Sequence, residues 1–379
     1  MHKSVVIAGY ARSPFHFAGK GELTKVRPDE LAAQVVRGLL EKTGIDPADI
    51  EDLIVGCAFP EGEQGLNVAR LIGFLADLPL NVAGTTVNRF CGSSMQSIHM
   101  AAGAIQMDAG EAFLCAGVES MSRVPQGGFN PLLHPGLADR FPQAYISMGE
   151  TAENVADKYG IARARQEEFA LESHRRAADA RESGRLAGEI VAIRHGNHVV
   201  ETDGCIRPET STEALAGLKP AFKTDGSVTA GTSSPLTDGA AAVLVTTEDY
   251  AKVNGLKPLA RLRAIAVAGC DPEIMGIGPV AASRKALERA GLKIDDIDVI
   301  ELNEAFASQA LACADELGLD PAKINIDGGA LALGHPLGAT GARITGKAAE
   351  IMRREGKALA LATQCIGGGQ GIATVLEAA

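Results

Sequence analysis

Aromatic residues are scarce in this 379-residue chain: they make up 4% of it, and tryptophan is absent. Single-stranded nucleic acids are bound on platforms of stacked aromatic side chains, so this composition argues against such a partner. Basic residues are outnumbered too, with 36 Lys and Arg against 47 Asp and Glu and a net charge of −11. A phosphate backbone is therefore an unfavourable partner, whereas one local basic pocket for a single anion stays compatible with the sequence.

Long hydrophobic runs and paired cysteine motifs are missing as well. No apolar run approaches the ~20 residues of a membrane span, and the apolar run at the N-terminus is too brief for a secretory signal. The seven cysteines form no C-x-x-C pair and show no zinc-ligand spacing, so no metal site is predicted. An odd number of cysteines without a secretory signal predicts free thiols in a reducing compartment, here the cytoplasm.

Glycine, in contrast, is abundant, and the chain contains an internal repeat. There are 44 glycines, which predicts many tight loops and close backbone approaches. Residues 44–59 resemble residues 291–306, and the same offset of 247 aligns two apolar runs, at 114–117 and 361–364. Apolar strands alternating with helical stretches predict layered α/β structure with helices on the sheet faces.

The final strands of the two repeats lie at different distances from the preceding strands, which indicates an insertion. The predicted organisation is a first half formed by 1–118 and 239–257, an inserted domain at 119–238, and a second half at 258–379. Helical periodicity is present within the insertion at 151–160 and 164–184. Such an insertion either covers a ligand site or serves as a structural or oligomerising arm.

Two loops at equivalent positions of the repeat carry candidate chemistry. Cys91 follows an apolar strand and precedes a helix, whose N-terminus lowers a thiol's pKa and stabilises an oxyanion. His335 lies in a glycine-rich segment at the matching position of the second half, so the repeat predicts that the two residues meet at matching strand ends. A Cys/His pair generates a thiolate nucleophile. The alternatives are a structural cysteine before a helix and a structural histidine.

Two further segments end predicted strands in the second half. Cys365 is followed by four glycines in five residues, among them Gly367, which form either an oxyanion hole of backbone N–H groups or a phosphate cradle. Neither of the common phosphate-loop patterns is met. Asn303 follows another strand, where it orients a water or a histidine, or caps a helix.

Four segments together resemble the signature segments of the thiolase family. They occur in the order found in that family, and the resemblance spans essentially the whole chain. The segments are 88–94 (NRFCGSS), 303–306 (NEAF), 334–338 (GHPLG) and 365–371 (CIGGGQG). The resemblance implies an α/β fold of duplicated halves in an α-β-α-β-α arrangement, with a loop domain inserted in the first half.

The resemblance also implies a role for each matching residue. Cys91 would take the acyl group, and His335 would activate Cys91 and later the thiol of coenzyme A. Cys365 would move the proton at the α-carbon of acetyl-CoA, with the enolate oxygen stabilised by His335 and a water held by Asn303. The backbone N–H groups of Cys91 and Gly367 would hold the tetrahedral intermediate.

Coenzyme A is expected as a substrate, with no permanently bound cofactor. The resemblance implies that Ser234 hydrogen-bonds the pantetheine and that Arg207 lies near the nucleotide end. The apolar residues implied to line the pantetheine tunnel are Met148, Phe222, Leu236 and Phe306. The expected partners are acyl-CoA, a second copy in a homodimer or homotetramer, and other β-oxidation enzymes.

The favoured function is thiolytic cleavage of 3-ketoacyl-CoA. Ala214 stands where acetoacetyl-CoA-forming members often carry serine, and residues 145–148 lack a histidine that the biosynthetic branch often has before its methionine. The alternatives are acetyl-CoA condensation and a β-ketoadipyl-CoA substrate. A decarboxylating ketoacyl synthase is disfavoured by Cys365 and the GHPLG segment, and a non-catalytic relative by the presence of both Cys91 and His335.

Overall fold

One large mixed sheet organises the chain in the computed structural model, which describes residues 3–379. The strands are β1 (Val5–Arg12), β2 (His16–Phe17), β3 (Asp52–Gly56), β4 (Ala83–Val87), β5 (Ala112–Ser120), β6 (Ile193–His195), β7 (His198–Val200), β8 (Thr237–Thr247), β9 (Ala260–Gly269), β10 (Val299–Leu302), β11 (Leu359–Ile366) and β12 (Gln370–Glu377). The helices are α1 (Pro28–Thr43), α2 (Val68–Leu75), α3 (Ser93–Gln106), α4 (Pro135–Arg140), α5 (Met148–Tyr159), α6 (Arg163–Glu182), α7 (Thr212–Ala216), α8 (Glu248–Val253), α9 (Gly278–Ala290), α10 (Ala307–Leu317), α11 (Ala330–Leu333) and α12 (Leu337–Glu355).

The sheet contains the same pairing pattern twice. In the first half β3 pairs parallel with β5, β5 antiparallel with β8, and β8 antiparallel with β1. In the second half β10, β11, β12 and β9 repeat this order and these directions. The halves meet where β1 pairs with β9 through only two residue pairs, Val6 with Arg261 and Ile7 with Ala260. The predicted duplication of α/β halves is confirmed.

The sheet faces divide the core into layers because side chains alternate along each strand. In β5, Leu114 and Ala116 pack outward with α1 and α2, whereas Phe113 and Cys115 pack inward against α3 and α12. The second half has its own outer helices, α9 and α10. The layers are therefore the outer helices of the first half, the first-half strands, the central pair α3 and α12, the second-half strands, and the outer helices of the second half. This is the predicted α-β-α-β-α arrangement.

The halves differ where β4 would have its counterpart. Its place is taken by a single bridge between Ile300 and Ile324, so the loop that carries His335 does not follow a strand as expected. Asn325 supplies the reason: its side chain accepts from the Leu302 N–H at 2.9 Å and donates to the Leu302 carbonyl at 2.8 Å. A side-chain amide thus replaces the backbone pairing, and the short helix α11 precedes His335 instead.

The inserted segment leaves and rejoins the sheet at neighbouring strand ends, because Ser120 of β5 is paired with Asp238 of β8. Its helices α5 and α6 cover the two periodic stretches singled out in the sequence. A buried ion cluster attaches it to both halves: Glu189 accepts from Arg12 of β1 at 2.6 Å and from Lys347 of α12 at 2.8 Å. The boundaries proposed for the insertion stay predictions.

Membrane-spanning character is not found in the helices. Within residues 3–379, no helix is both long enough and apolar enough to cross a bilayer.

Candidate active site

Cys91 lies in the tight connection between β4 and α3. Phe90, directly before it, has a left-handed backbone with φ 43°, a conformation that a bulky residue adopts only when its surroundings enforce it. Two side chains do so here. Asn88 Oδ1 accepts from the Phe90 N–H at 2.8 Å, and the Ser93 hydroxyl donates to the Phe90 carbonyl at 2.6 Å. The Cys91 side chain is thereby held at the N-terminus of α3, with the residue 8% exposed.

The thiol of Cys91 is neutral in the resting protein. Burial raises its pKa to about 11, while backbone N–H groups of Gly367 and of Cys91 itself act in the opposite direction. The expectation of a lowered pKa is therefore not met, because the loss of hydration outweighs the two N–H groups. Formation of a thiolate at neutral pH requires a base that takes the proton during reaction.

His335 occupies the connection between α11 and α12, and its ring is fixed on both sides. Its Nδ1 lies 2.6 Å from Thr340 Oγ1, and that hydroxyl donates to the Pro336 carbonyl at 3.0 Å. The single hydroxyl proton cannot serve both contacts, so both are satisfied when Nδ1 carries the ring proton and Nε2 is unprotonated. Burial, followed by the charge of Arg343, lowers the pKa of His335 to about 3, which keeps the ring neutral.

Asn303 follows β10 and brings its amide to the same ring. Its Nδ2 lies 3.3 Å from His335 Nε2, and its backbone N–H donates to the Thr363 carbonyl of β11 at 3.0 Å. The Oδ1 atom is buried and has no hydrogen-bond partner among residues 3–379. The amide therefore contacts the histidine and retains one acceptor for a substrate atom or a water.

Cys365 and Gly367 lie at the end of β11, where the glycine-rich turn leads into β12. Burial raises the pKa of Cys365 well above the ordinary range, and charge on the thiols of Cys91, Cys313 or Cys270 would raise it further. Gly368 and Gly369 turn the chain with φ 77° and 80°. The Gly367 N–H faces the Cys91 thiol. Of the two alternatives for this turn, the geometry favours the oxyanion hole.

An apolar wall lies beside the thiols and contains three of the residues expected to line the pantetheine tunnel. Met148 and Phe306 pack in one cluster with Cys365, and the Phe222 ring meets the Phe306 ring edge-on with centroids 5.9 Å apart. The segment that contains Ser234 is held against this wall, because the Ser234 N–H donates to the Ala305 carbonyl at 2.9 Å.

Leu236 and Arg207 lie at the edge of this region. Leu236 is 55% exposed and its carbonyl accepts from the Ala18 N–H. Arg207 places its guanidinium 5.0 Å above the Phe17 ring, and its backbone N–H donates to His174 Nδ1 at 3.1 Å. Arg207 thus contacts Phe17 and His174 rather than the apolar wall.

Several residues that brace the site were not identified in the sequence. Gln364 donates to the Cys91 carbonyl, and Thr340 orients His335. Glu304, inside the NEAF segment, is buried and accepts from the Ser173 hydroxyl at 2.7 Å and from the Leu331 N–H at 3.1 Å. Glu119, at the end of β5, is likewise buried and accepts hydrogen bonds from the Ala58 and Gly338 N–H groups. Only the position of Glu304 beside Asn303 could have drawn attention to any of them.

A buried thiol with two N–H donors, a neutral histidine, an amide and a second buried thiol define an enzyme of the acyl-transferring class that uses a cysteine nucleophile. Residues 5–249 match the family description "Thiolase, N-terminal domain", and residues 256–378 match "Thiolase, C-terminal domain". The chain belongs to the thiolase family, as the sequence segments predicted.

Relatives in sequence and structure agree with this assignment. The chain is 46% identical to a 3-ketoacyl-CoA thiolase of Bacillus subtilis, with full coverage of both chains. It is similar to the crystal structure of the Bacillus anthracis acetyl-CoA acetyltransferase, with a TM-score of 0.92, 41% identity and coverage of 100% and 99%. Human mitochondrial 3-ketoacyl-CoA thiolase in complex with CoA gives a TM-score of 0.92, 37% identity and coverage of 100% and 98%.

Proposed function

We propose that this chain is an acetyl-CoA C-acyltransferase that cleaves 3-ketoacyl-CoA with coenzyme A to acetyl-CoA and a shortened acyl-CoA. The observation that carries the proposal is that the segment of Cys365 adjoins the segment of Cys91, because Gln364 donates to the Cys91 carbonyl and both thiols are buried. Asn303 contacts the His335 ring, and the Gly367 N–H faces Cys91. Relatives with 46–49% identity over the full chain carry the name 3-ketoacyl-CoA thiolase.

In the first half-reaction, the Cys91 sulfur attacks the 3-keto carbon while its proton passes to His335 Nε2. The carbonyl oxygen becomes an oxyanion, which the N–H groups of Cys91 and Gly367 hold. The bond between C2 and C3 then breaks, and its electron pair forms the enolate of acetyl-CoA. The imidazolium of His335 and a water on Asn303 stabilise the enolate oxygen, and Cys365 gives its proton to C2. Acetyl-CoA leaves, and the acyl group remains on Cys91.

In the second half-reaction, coenzyme A replaces acetyl-CoA. The proton that His335 took from Cys91 passes to the Cys365 thiolate. His335 is then again a base and takes the proton of the coenzyme A thiol. The resulting thiolate attacks the acyl-Cys91 carbonyl, the same two N–H groups hold the oxyanion, and the bond to Cys91 sulfur breaks. His335 then reprotonates Cys91. The sequence of two displacements predicts ping-pong kinetics.

For coenzyme A, the apolar wall at Met148, Phe222 and Phe306 is the proposed pantetheine surface, with Ser234 as its hydrogen-bonding group. Leu236 extends this surface toward solvent, and Arg207 is the proposed contact at the nucleotide end. Removal of one of the aromatic rings is expected to raise the KM for coenzyme A with a smaller effect on kcat, because these side chains bind substrate and transition state alike.

The assignment of the two thiols is tested by separating the half-reactions. Cys365→Ala is expected to form an acyl-enzyme from acyl-CoA at near the wild-type rate and to lose carbon–carbon cleavage by a factor of ~10²–10⁴, the range typical of removing a proton-transferring group. Cys91→Ala is expected to lose both. Rapid-quench mass spectrometry reads the acyl-enzyme, and disappearance of 3-ketoacyl-CoA reads cleavage. Equal loss of both steps in Cys365→Ala would contradict the assignment.

Condensation of acetyl-CoA is the second candidate, because one structural relative with 41% identity is named acetyl-CoA acetyltransferase; a β-ketoadipyl-type substrate remains a further alternative. The rate of thiolysis against the chain length of 3-ketoacyl-CoA distinguishes them. Degradation predicts activity that persists or rises beyond four carbons. Activity confined to acetoacetyl-CoA would favour the acetyltransferase.

We also propose a homo-oligomer located in the cytoplasm. β4 is one of the two end strands of the sheet, and Leu66 and Leu80, which precede it in the chain, are 89% and 79% exposed. An exposed edge with apolar neighbours favours pairing with another copy. Thr85→Pro, in the middle of β4, is expected to shift the mass measured by light scattering toward that of one chain; an unchanged mass would contradict an interface at this edge.

The seven unpaired thiols support a reducing compartment, and association with other β-oxidation enzymes stays a prediction.

A further inference from the structure

Glu119 is a fully buried carboxylate at the end of β5 that collects donors from several parts of the chain. One oxygen accepts from the Ala58 N–H at 2.8 Å and from the Gly338 N–H at 2.9 Å. The other accepts from the Phe59 N–H at 3.2 Å and from Gln64 Nε2 at 2.8 Å. Within residues 3–379 it forms no ion pair with a cation. These four N–H donors, together with the Cys57 thiol, which donates at 3.7 Å, replace the hydration of this charge.

The donors belong to the surroundings of both proposed catalytic residues. Ala58 follows β3 and packs in one cluster with Cys91 and Leu337. Gly338 lies in the first turn of α12, three residues after His335. A Cβ on Gly338 would lie 2.5 Å from the Val118 carbonyl oxygen and 2.7 Å from that of Gly56. The start of α12 is thus pressed between the ends of β3 and β5, and Glu119 bonds it there.

The carboxylate also makes the two central helices different. At α12 it accepts a hydrogen bond from an N–H group of the first turn, where a helix end attracts negative charge. The first turn of α3, in contrast, which follows Cys91, contains no acidic residue. The charge of Glu119 raises the pKa of the Cys91 thiol, so it acts on the nucleophile as well as on the helix.

We propose that Glu119 is a positioning residue for acyl transfer: it bonds the loop beside Cys91 to the first turn of α12 and so fixes His335 relative to the nucleophile. The proposal rests on the proposed function, in which His335 takes the proton of Cys91. No contact between Glu119 and a substrate is required.

Two substitutions separate the charge of Glu119 from its reach. Glu119→Gln keeps the size and removes the charge, and it directs an NH₂ group at N–H donors. Glu119→Asp keeps the charge and withdraws it by one methylene, so that it cannot reach both Ala58 and Gly338. Both variants are expected to lose kcat for thiolysis by tenfold or more with KM within twofold, since the substrate surface is not touched.

Alkylation of Cys91 by iodoacetamide at pH 8, followed by peptide mass spectrometry, provides the reading that a purely structural role would not change. Glu119→Gln is expected to react severalfold faster than wild type because its thiol ionises more readily, whereas Glu119→Asp is expected to stay within twofold. This assay uses no acyl-CoA, so it remains informative if thiolysis itself is not found. Equal alkylation rates in the two variants, or kcat within twofold of wild type in both, would overturn the proposal.

A measurement on the unmodified protein covers the case in which the variants do not fold. Amide groups in the first turn of a helix have no partner within the helix and ordinarily exchange quickly. Donation to a buried carboxylate predicts slow hydrogen exchange at Gly338, in the range of the core of α12. Exchange there as fast as at the exposed start of another helix would refute the bond on which the proposal depends.

Discussion

Replacing Thr340 by valine tests whether the tautomer of His335 controls the reaction. Valine keeps the shape of the side chain but removes the oxygen that lies 2.6 Å from Nδ1. A buried N–H without a partner costs about 1–3 kcal/mol, and the ring avoids this cost by moving its proton to Nε2. In that tautomer Nε2 cannot take the proton of Cys91. At 1.36 kcal/mol for each factor of ten, acyl-enzyme formation is expected to fall about 5- to 150-fold.

The assay is the pre-steady-state burst of acyl-enzyme with 3-ketoacyl-CoA, read together with the KM. The burst rate of Thr340→Val should fall while KM changes little, because the substitution does not touch the apolar wall at Met148 and Phe306. Thr340→Ser restores the oxygen and is expected to recover most of the rate. Nitrogen chemical shifts of His335 would report the change of tautomer directly. A folded Thr340→Val protein with a burst rate within twofold of wild type would refute the orienting role of Thr340.

Two further predictions concern stability, measured by urea unfolding. Burial lowers the pKa of His99 to about 3, so the folded state excludes the proton that the unfolded state binds below about 6.5. Wild type should therefore lose about 2 kcal/mol more than His99→Gln between pH 7.5 and 5, and parallel curves would contradict this. A Cβ on Gly341 would lie 2.2 Å from Met95 N, so Gly341→Ala should cost about 1–3 kcal/mol. Its control Gly103→Ala meets nothing within 4 Å and should gain about 0.5–1 kcal/mol; equal effects would disprove the close approach.

The duplication could be predicted because local signals of the repeat survive in the sequence. Gly44 and Gly291 follow α1 and α9 in the left-handed conformation, with φ 70° and 69°, and each leads into a short turn and a buried strand. These signals depend on the nearest residues only. The missing strand before His335 could not be predicted, because it depends on the Asn325 side chain reaching Leu302, 23 positions away.

The same distinction applies to the candidate site. Cys91, His335, Asn303 and Cys365 stand in recognisable segments, so the repeat and the family resemblance were enough to single them out. The thiol pKa did not follow, because it depends on burial by parts of the chain remote in sequence. Glu119 was missed for the same reason: its donors lie about 60 and more than 200 positions away.

Besides the contacts within its own half, each proposed catalytic loop is held by a contact from the opposite half. Gln364 of the second half donates to the Cys91 carbonyl, and the His335 N–H donates at 3.0 Å to the hydroxyl of Thr237, the first residue of β8. Between the central helices, the Ala342 N–H donates to Ser94 Oγ at 2.8 Å. The backbone link between the halves, by comparison, is two residue pairs of β1 and β9. Because each half completes the surroundings of the other half's residue, the site exists only in the joined chain, and neither half is expected to transfer an acyl group alone.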